Sequence, residues 1–203
     1  MRLKISSKRA LSAVILAGLA LPVGFIFYSI SKGPVRNGAE VLTGNTIAPY
    51  EQERARPGLP IRLKIPSINV DAPIEHVGLA PDGAMDAPKE RANAAWFELG
   101  QRPGENGSAV IAGHYGWANK QASAFDNLYE LRPGDRLYIE DDRGTIISFV
   151  VRESRRYDPD ADAGDVFGSG DGEAHLNLIT CEGAWDKVSR TYSQRLVVFT
   201  DRE

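Results

Sequence analysis

The chain has 203 residues, 42% of them hydrophobic and 25% charged, with a net charge of −3. That length suffices for one folded domain and a membrane segment, and the slightly acidic balance argues against general nucleic-acid binding. It contains one cysteine and three widely spaced histidines, so no metal site or cofactor is expected.

The N-terminus predicts a membrane anchor. Residues 1–9 carry four basic side chains and no acid, and residues 10–30 carry no charge. As a helix, residues 10–30 would span about 31 Å, close to the thickness of a bilayer core. A cleaved signal peptide is the alternative, but its apolar core is shorter and ends at a small-residue site, which is missing here. We therefore expect an uncleaved helix with residues 1–9 in the cytoplasm and the remainder outside the cell.

Residues 31–59 are rich in Gly, Pro, Asn, Glu and Arg, a composition typical of a flexible extracellular stalk. The folded domain is expected over residues 60–203. Within it, short β-like segments alternate with turn signals: 61–65, 108–112, 136–140, 145–152, 176–180 and 195–200. Only two short helical segments are expected, near 91–97 and 124–131. This pattern predicts a mostly β domain closed, or nearly closed, into a barrel.

The single cysteine, Cys181, follows the apolar segment 176–180 and precedes a turn-like Glu182-Gly183. One interpretation is a small buried hydrophobe, since free cysteines are commonly buried. However, an exported chain usually carries paired cysteines or none. An unpaired thiol at the end of a predicted strand therefore also suggests a nucleophile.

Two further residues lie at predicted strand ends. His114 follows the strand 108–112 between Gly113 and Gly116, and Arg195 begins the last strand. Loops leaving a rigid scaffold often carry catalytic groups, so these two and Cys181 can meet at one rim of the barrel. A thiolate attacks a carbonyl, an imidazolium protonates the leaving amine, and an arginine stabilises the oxyanion or holds substrate carbonyls. This chemistry requires no carboxylate.

With these residues in order, the sequence resembles the sortases, cysteine transpeptidases of the Gram-positive cell surface. Residues 178–181 (Leu-Ile-Thr-Cys) resemble the family signature T-L-x-T-C, with Asn177 where the first threonine is common. Residues 109–114 resemble the strand that leads to the family's histidine, and 193–198 resemble the segment around its arginine. Residues 124–128 and 131–135 resemble the intervening segment. The resemblance covers residues 61–203.

The resemblance implies an eight-stranded barrel that cleaves an LPxTG-like sorting signal between Thr and Gly. The acyl group would pass from the cysteine to an amine, from a peptidoglycan precursor or a pilin lysine. The partners would then be surface proteins that carry sorting signals. The segment 178–183, with Trp185-Asp186, most resembles the class E or class F sortases of actinobacteria.

Some assignments stay open at this stage. Arg190 follows Cys181 by 9 positions and Arg195 by 14, so Arg190 is the alternative catalytic arginine. Tyr115, Trp117 and Thr180 are candidate substrate-binding residues, although the two aromatic side chains would also suit a core. His76 and His175 are expected to be structural. The acidic segment 158–165 resembles a calcium loop only loosely and is interpreted as solvated.

Two other functions remain possible. One is another cell-wall Cys/His enzyme, either an L,D-transpeptidase or a papain-like amidase. The 67-residue separation of His114 and Cys181 and their order along the chain disfavour both. The other is a surface barrel that binds a peptide without cleaving it.

Overall fold

The computed structural model describes residues 56–116 and 122–203. The expected anchor at 10–30 and all but the end of the expected stalk lie outside these residues. Within the described ranges, no helix is long and apolar enough to cross a membrane.

Eight strands form a closed barrel, which confirms the expected fold class. They are β1 Pro60–Ile65, β2 Val70–Val77, β3 Ala94–Phe97, β4 Gly107–Gly113, β5 Arg136–Asp141, β6 Ile146–Tyr157, β7 Ala174–Asp186 and β8 Thr191–Arg202. Their order around the barrel is β1-β2-β3-β4-β7-β8-β6-β5. The described helices are short: an α-helix, α1, at Gly164–Phe167 and 3-10 turns at Pro66–Ile68 and Leu128–Glu130.

Two of the eight pairings are parallel, β2 with β3 and β4 with β7. The second matters most for function, because both strands run toward the same end of the barrel. We call that end, where β4 stops at Gly113, the mouth. The opposite end, where β1 and β7 begin, is the base.

The barrel has two apolar clusters. The first fills the interior and includes Leu63, Ile111, Leu178 and Val198. The second lies on the outer face of β3, β4, β7 and β8, under the connection between β6 and β7 that contains α1. Strands β4 and β7 are therefore buried on both faces over most of their length, which explains why their sequences are apolar runs without alternation.

The prediction of a helix near 91–97 is wrong. Ala94–Phe97 is strand β3, and all four of its residues are buried between β2 and β4. Burial on both faces removes the alternation that identifies a strand in sequence. Of the helical turns expected at 124–131, the structure has the single 3-10 turn Leu128–Glu130. Strand β2 is an addition to the expected set; its burial alternates with period two.

Candidate active site

Strand pairing places His114 beside Cys181. Ala112 of β4 is opposite Ile179 of β7, and the Thr180 hydroxyl donates a hydrogen bond to the Gly113 carbonyl at 2.8 Å. The pairing ends there, and His114 and Cys181 are the residues that directly follow Gly113 and Thr180 at the mouth. Ala112 and Ile179 both belong to the outer cluster, and Cys181, two positions after Ile179 on β7, faces that side as well.

Arg195 lies on the other side of the cysteine. It is the direct antiparallel partner of Cys181 in the pairing of β7 with β8. Direct partners project from the same face of a sheet. The cysteine and the arginine thus lie side by side on β7 and β8, and the histidine directly follows the end of β4 at the same mouth; we call these three residues the row.

Arg195 is only 1% exposed, and its hydrogen-bond partners among the described residues are all neutral. Its Nη1 donates to the carbonyls of Gln194 (2.9 Å) and Tyr192 (3.1 Å), and Nη2 donates to Oγ1 of Thr191 (3.0 Å). Nε is buried and has no partner among the described residues. No described carboxylate forms an ion pair with this arginine. A buried cation without a counter-charge is costly, and the side chain directly opposite is a thiol that can ionise.

The expected positions within the strands need correction. Cys181 does not end its strand: β7 continues to Asp186 through an irregularity between Glu182 and Trp185, where Gly183 has a φ of 85°. Arg195 lies four residues inside β8 rather than at its start. Irregularities of this kind commonly bend a strand, and this one begins one residue after the cysteine. Cys181 is half-buried.

Arg190, the alternative arginine, is fully separated from this row. It belongs to the turn that joins β7 and β8, where its φ is 53°, and its side chain is exposed. Arg190 is not paired with Cys181 across the sheet, whereas Arg195 is its direct partner.

Thr180 is 1% exposed and lies in the barrel wall next to the cysteine. Its hydroxyl is engaged with the Gly113 carbonyl. In this arrangement the threonine fastens the end of the histidine strand to the cysteine strand. Substrate contact by Thr180 remains a prediction.

The histidine segment is held by a network of polar contacts. Nε2 of His114 lies 2.8 Å from the carbonyl oxygen of Pro88. Arg91 donates through Nη2 to the carbonyls of Tyr115 and Gly116. The carboxylate of Asp126 accepts from the Gly116 amide at 2.7 Å. The segment 114–116 has no strand partner of its own. The contacts with Arg91 and Asp126 therefore hold the backbone after the histidine in place.

An aromatic group borders the thiol. The ring of Tyr192 contacts Tyr115 and Trp185 edge to face, with centroid distances of 5.5 Å and 5.1 Å. A Cβ atom on Gly116 would lie 2.5 Å from the Tyr192 hydroxyl, so glycine permits this close approach. Burial raises the pKa of Tyr192, and the negative charge of an ionised Cys181 raises it further. Trp117 lies outside the described residues.

The connection between β6 and β7 forms a wall beside the row. Val166 of α1 packs on the outer cluster, and its carbonyl accepts from Nδ2 of Asn177 at 2.7 Å. The Tyr157 hydroxyl donates to Asp165 at 2.7 Å. Burial and this hydrogen bond raise the pKa of Tyr157 to about 12. The outer face of β7 is therefore covered up to Ile179 and open at Cys181.

The other histidines lie away from the mouth. His175, near the start of β7, is buried, with Nδ1 2.8 Å from Asp201 and Nε2 2.9 Å from Asp171. His76 contacts the Pro60 carbonyl at 2.9 Å and the ring of Trp96. Within the acidic segment, Asp165 bonds Tyr157 and Arg155. No group of side chains suited to a metal ion occurs among the described residues.

The sequence analysis did not single out Glu75, Arg91, Asp126 or Tyr192 as site residues, and it noted Trp185 only for the resemblance to class E and class F sortases. Arg91 contacts the histidine segment from the connection between β2 and β3, and Glu75, on β2, binds amides of that connection; nothing in the local sequence indicates these contacts. Tyr192 lies three positions before Arg195, so the sequence could have indicated it. It was missed because the predicted strand, 195–200, began only at Arg195.

A closed eight-stranded barrel with a cysteine, a histidine and an arginine aligned at its mouth is the architecture of a cysteine transpeptidase. The model of the sortase domain family matches residues 63–203, more than half of the chain. The chain therefore belongs to the sortase family and is a sortase cysteine transpeptidase of cell-wall sorting.

Solved structures agree with this assignment. Sortase C-1 from Actinomyces oris is 27% identical, with a TM-score of 0.57, and the match covers 71% of this chain and 74% of that one. Streptococcus agalactiae sortase C1, in complex with MTSET, is 29% identical with a TM-score of 0.57 over 71% and 69% of the two chains. A lid mutant of Corynebacterium diphtheriae sortase A is 26% identical with a TM-score of 0.57 over 74% and 73%. A search of curated proteins gives no match.

Proposed function

We propose that this chain cleaves an LPxTG-like sorting signal between Thr and Gly and transfers the acyl fragment to an amine. Cys181 is the nucleophile, His114 the acid and base, and Arg195 the cation that stabilises developing negative charge. The observation that carries these roles is the buried Arg195, whose guanidinium has only neutral hydrogen-bond partners among the described residues and whose backbone is paired with that of Cys181, the only cysteine.

The reaction runs in two halves. The thiolate attacks the threonine carbonyl carbon, the C–N bond to glycine breaks, and the imidazolium of His114 gives its proton to the departing amine. A second amine then attacks the thioester, gives a proton back to His114, and releases Cys181. Arg195 donates hydrogen bonds to the oxyanion of each tetrahedral intermediate.

Substrate positioning follows from the surroundings of the row. The face that carries the row continues along β7 into the outer apolar cluster, next to the wall formed by α1. We place the apolar residues that precede the cleaved bond next to that wall, at the half-buried surface of Cys181. On the other side, Tyr115, Tyr192 and Trp185 form an aromatic border. Trp185 is 50% exposed, so this border is accessible to substrate.

Class E or class F is our proposal for the subclass, supported by the segment 178–183 and by Trp185-Asp186. The solved structures described above are class C and class A enzymes. We also propose that residues 10–30 anchor the enzyme in the membrane with the barrel outside the cell. Fractionation of cells expressing the full chain and a chain lacking residues 10–30 tests this: the first should sediment with membranes, and an equal distribution of both would contradict it.

Trapping the thioester tests the mechanism. The full chain is incubated with peptides containing Leu-Pro-x-Thr-Gly, Leu-Ala-x-Thr-Gly or a scrambled sequence, without an added amine, and its intact mass is measured. We expect a mass increase equal to the fragment ending at threonine, with the two sorting-signal peptides only. Cys181→Ala should show no increase while retaining the melting temperature of the wild type. Turnover by Cys181→Ala, or adduct formation with the scrambled peptide, would refute the proposal.

A further inference from the structure

The imidazole of His114 has a defined polarity. Its Nε2 lies 2.8 Å from the Pro88 carbonyl oxygen, which can only accept a hydrogen bond. Nε2 therefore carries a proton whether the ring is neutral or charged. Nδ1 forms no hydrogen bond with any residue in the described part of the chain, so it is the nitrogen left for proton exchange.

The peptide group that receives this hydrogen bond is itself bound by a carboxylate. The Pro88 carbonyl and the Lys89 amide belong to the same planar peptide unit, and the Lys89 N–H donates to Oε2 of Glu75 at 2.9 Å. A continuous chain of hydrogen bonds thus runs from the His114 ring through one peptide group to the Glu75 carboxylate. Hydrogen bonds in such a chain polarise one another, so a negative charge on one side makes the carbonyl on the other side a stronger acceptor.

We propose that Glu75 is a positioning residue for His114, acting through the Pro88–Lys89 peptide group, and that Nδ1 is the proton-exchanging atom. The proposal rests on the proposed role of His114 as the acid. Glu75 fixes the ring orientation and stabilises the imidazolium without touching it. The peptide unit thereby substitutes for direct contact between a carboxylate and the histidine.

Additional contacts make this relay rigid. Oε1 of Glu75 accepts from the Glu90 amide at 3.1 Å and from Nδ2 of Asn93 at 2.9 Å. Burial acts to raise the pKa of Glu75, but these three donors outweigh it and hold that pKa below its ordinary value, so the group is ionised. Arg91, in the same segment, holds the backbone just after His114 through the carbonyls of Tyr115 and Gly116. One connection between β2 and β3 therefore holds both the ring and its backbone.

The test combines kinetics with nitrogen NMR on the full chain. Glu75→Gln preserves size but removes the charge, and Glu98→Gln is a matched control on the neighbouring strand end, where the side chain is exposed. We expect Glu75→Gln to lower kcat by roughly 10-fold, part of the contribution of general acid catalysis, with KM for the sorting peptide unchanged. Glu98→Gln should leave both constants unchanged. Equal melting temperatures would exclude a loss of fold as the cause.

Nitrogen-15 spectra give a readout that a merely structural role would not move. The His114 resonances are identified by their loss in His114→Gln. In the wild type we expect the neutral ring to be the tautomer protonated at Nε2, and in Glu75→Gln a shift toward a mixture. A wild-type ring protonated at Nδ1 would overturn the proposal even if the enzyme forms its thioester. An unchanged spectrum and unchanged kcat in Glu75→Gln would do the same, whereas failure of thioester formation in the wild type would refute the proposed function instead.

Discussion

At the base of the barrel, His175 is buried and each of its ring nitrogens contacts a carboxylate, whereas at the mouth His114 uses one nitrogen and leaves the other unbound among the described residues. Asp141 and Arg195 differ in the same way. The carboxylate of Asp141, at the base, accepts hydrogen bonds from three backbone amides, whereas Nε of Arg195, at the mouth, has no partner among the described residues. Polar groups with complete hydrogen bonding stabilise a fold, while incompletely bonded groups can bind a reacting substrate.

The largest effect that tests this contrast is expected at Arg195. Arg195→Lys keeps the charge but loses the planar fork of donors. We expect turnover of the sorting peptide to fall by roughly 10²- to 10³-fold, as when an oxyanion donor is removed. Arg190→Lys in the turn between β7 and β8 is the matched control and should change turnover less than about 2-fold. The reverse ranking would transfer the catalytic role to Arg190.

A carboxylate at the base should affect stability and not catalysis. Asp141 is 2% exposed; burial raises its pKa, but hydrogen bonds from the amides of Thr145, Gly58 and Arg143 outweigh burial and lower it overall. Because the folded-state pKa is lowered, this contribution is complete above the ordinary Asp pKa of about 3.9 and is lost as the pH falls through the folded-state value.

Asp141→Asn should therefore cost roughly 2–3 kcal/mol of unfolding free energy at pH 7, since it removes charged hydrogen bonds. The difference from the wild type should shrink when denaturant unfolding is repeated below pH 4. The turnover of the folded enzyme should be unchanged. A pH-independent difference would mean that the ionised form of Asp141 is not what stabilises the fold.

Two buried threonines provide a matched pair along β7 and β8. Oγ1 of Thr180 donates to the Gly113 carbonyl at the mouth, and Oγ1 of Thr200 donates to the Leu176 carbonyl toward the base. Replacing either by valine leaves a buried carbonyl without its partner and should cost roughly 1–2 kcal/mol of stability. Only Thr180→Val should also lower kcat, because it loosens the end of the histidine strand. A rise in KM alone would instead favour direct substrate contact by Thr180.

The smallest effect is expected at the aromatic border. Tyr192→Phe keeps the ring contacts with Tyr115 and Trp185 and removes only the hydroxyl near Gly116. We expect kcat/KM to fall by roughly 2- to 5-fold, which corresponds to the net free energy of one weak hydrogen bond. Tyr138→Phe on β5 serves as the control. A loss as large as that of Arg195→Lys would place the hydroxyl among the groups that bind the oxyanion.

Much of this architecture was predictable because the outer strands alternate and the turns carry Gly, Pro and Asp. Six strands, the barrel and the sortase family follow from the sequence. In the structure, the pairing of β7 with β8 makes Arg195, and not Arg190, the neighbour of Cys181. Strand β3 was misassigned because burial on both faces removes alternation. Glu75 was missed because its contact with the Lys89 amide depends on how the connection folds, and a backbone amide has no signature in sequence.

The parallel pairing of β4 with β7 also has a consequence for when the enzyme becomes reactive. Gly113 and Thr180 are 67 residues apart in sequence, so the two strands meet only after a long loop has closed. In the proposed mechanism, the thiol lacks both His114 and Arg195 until these strands have met. If the proposed roles hold, a newly made chain is not acylated by a sorting signal before its fold is complete.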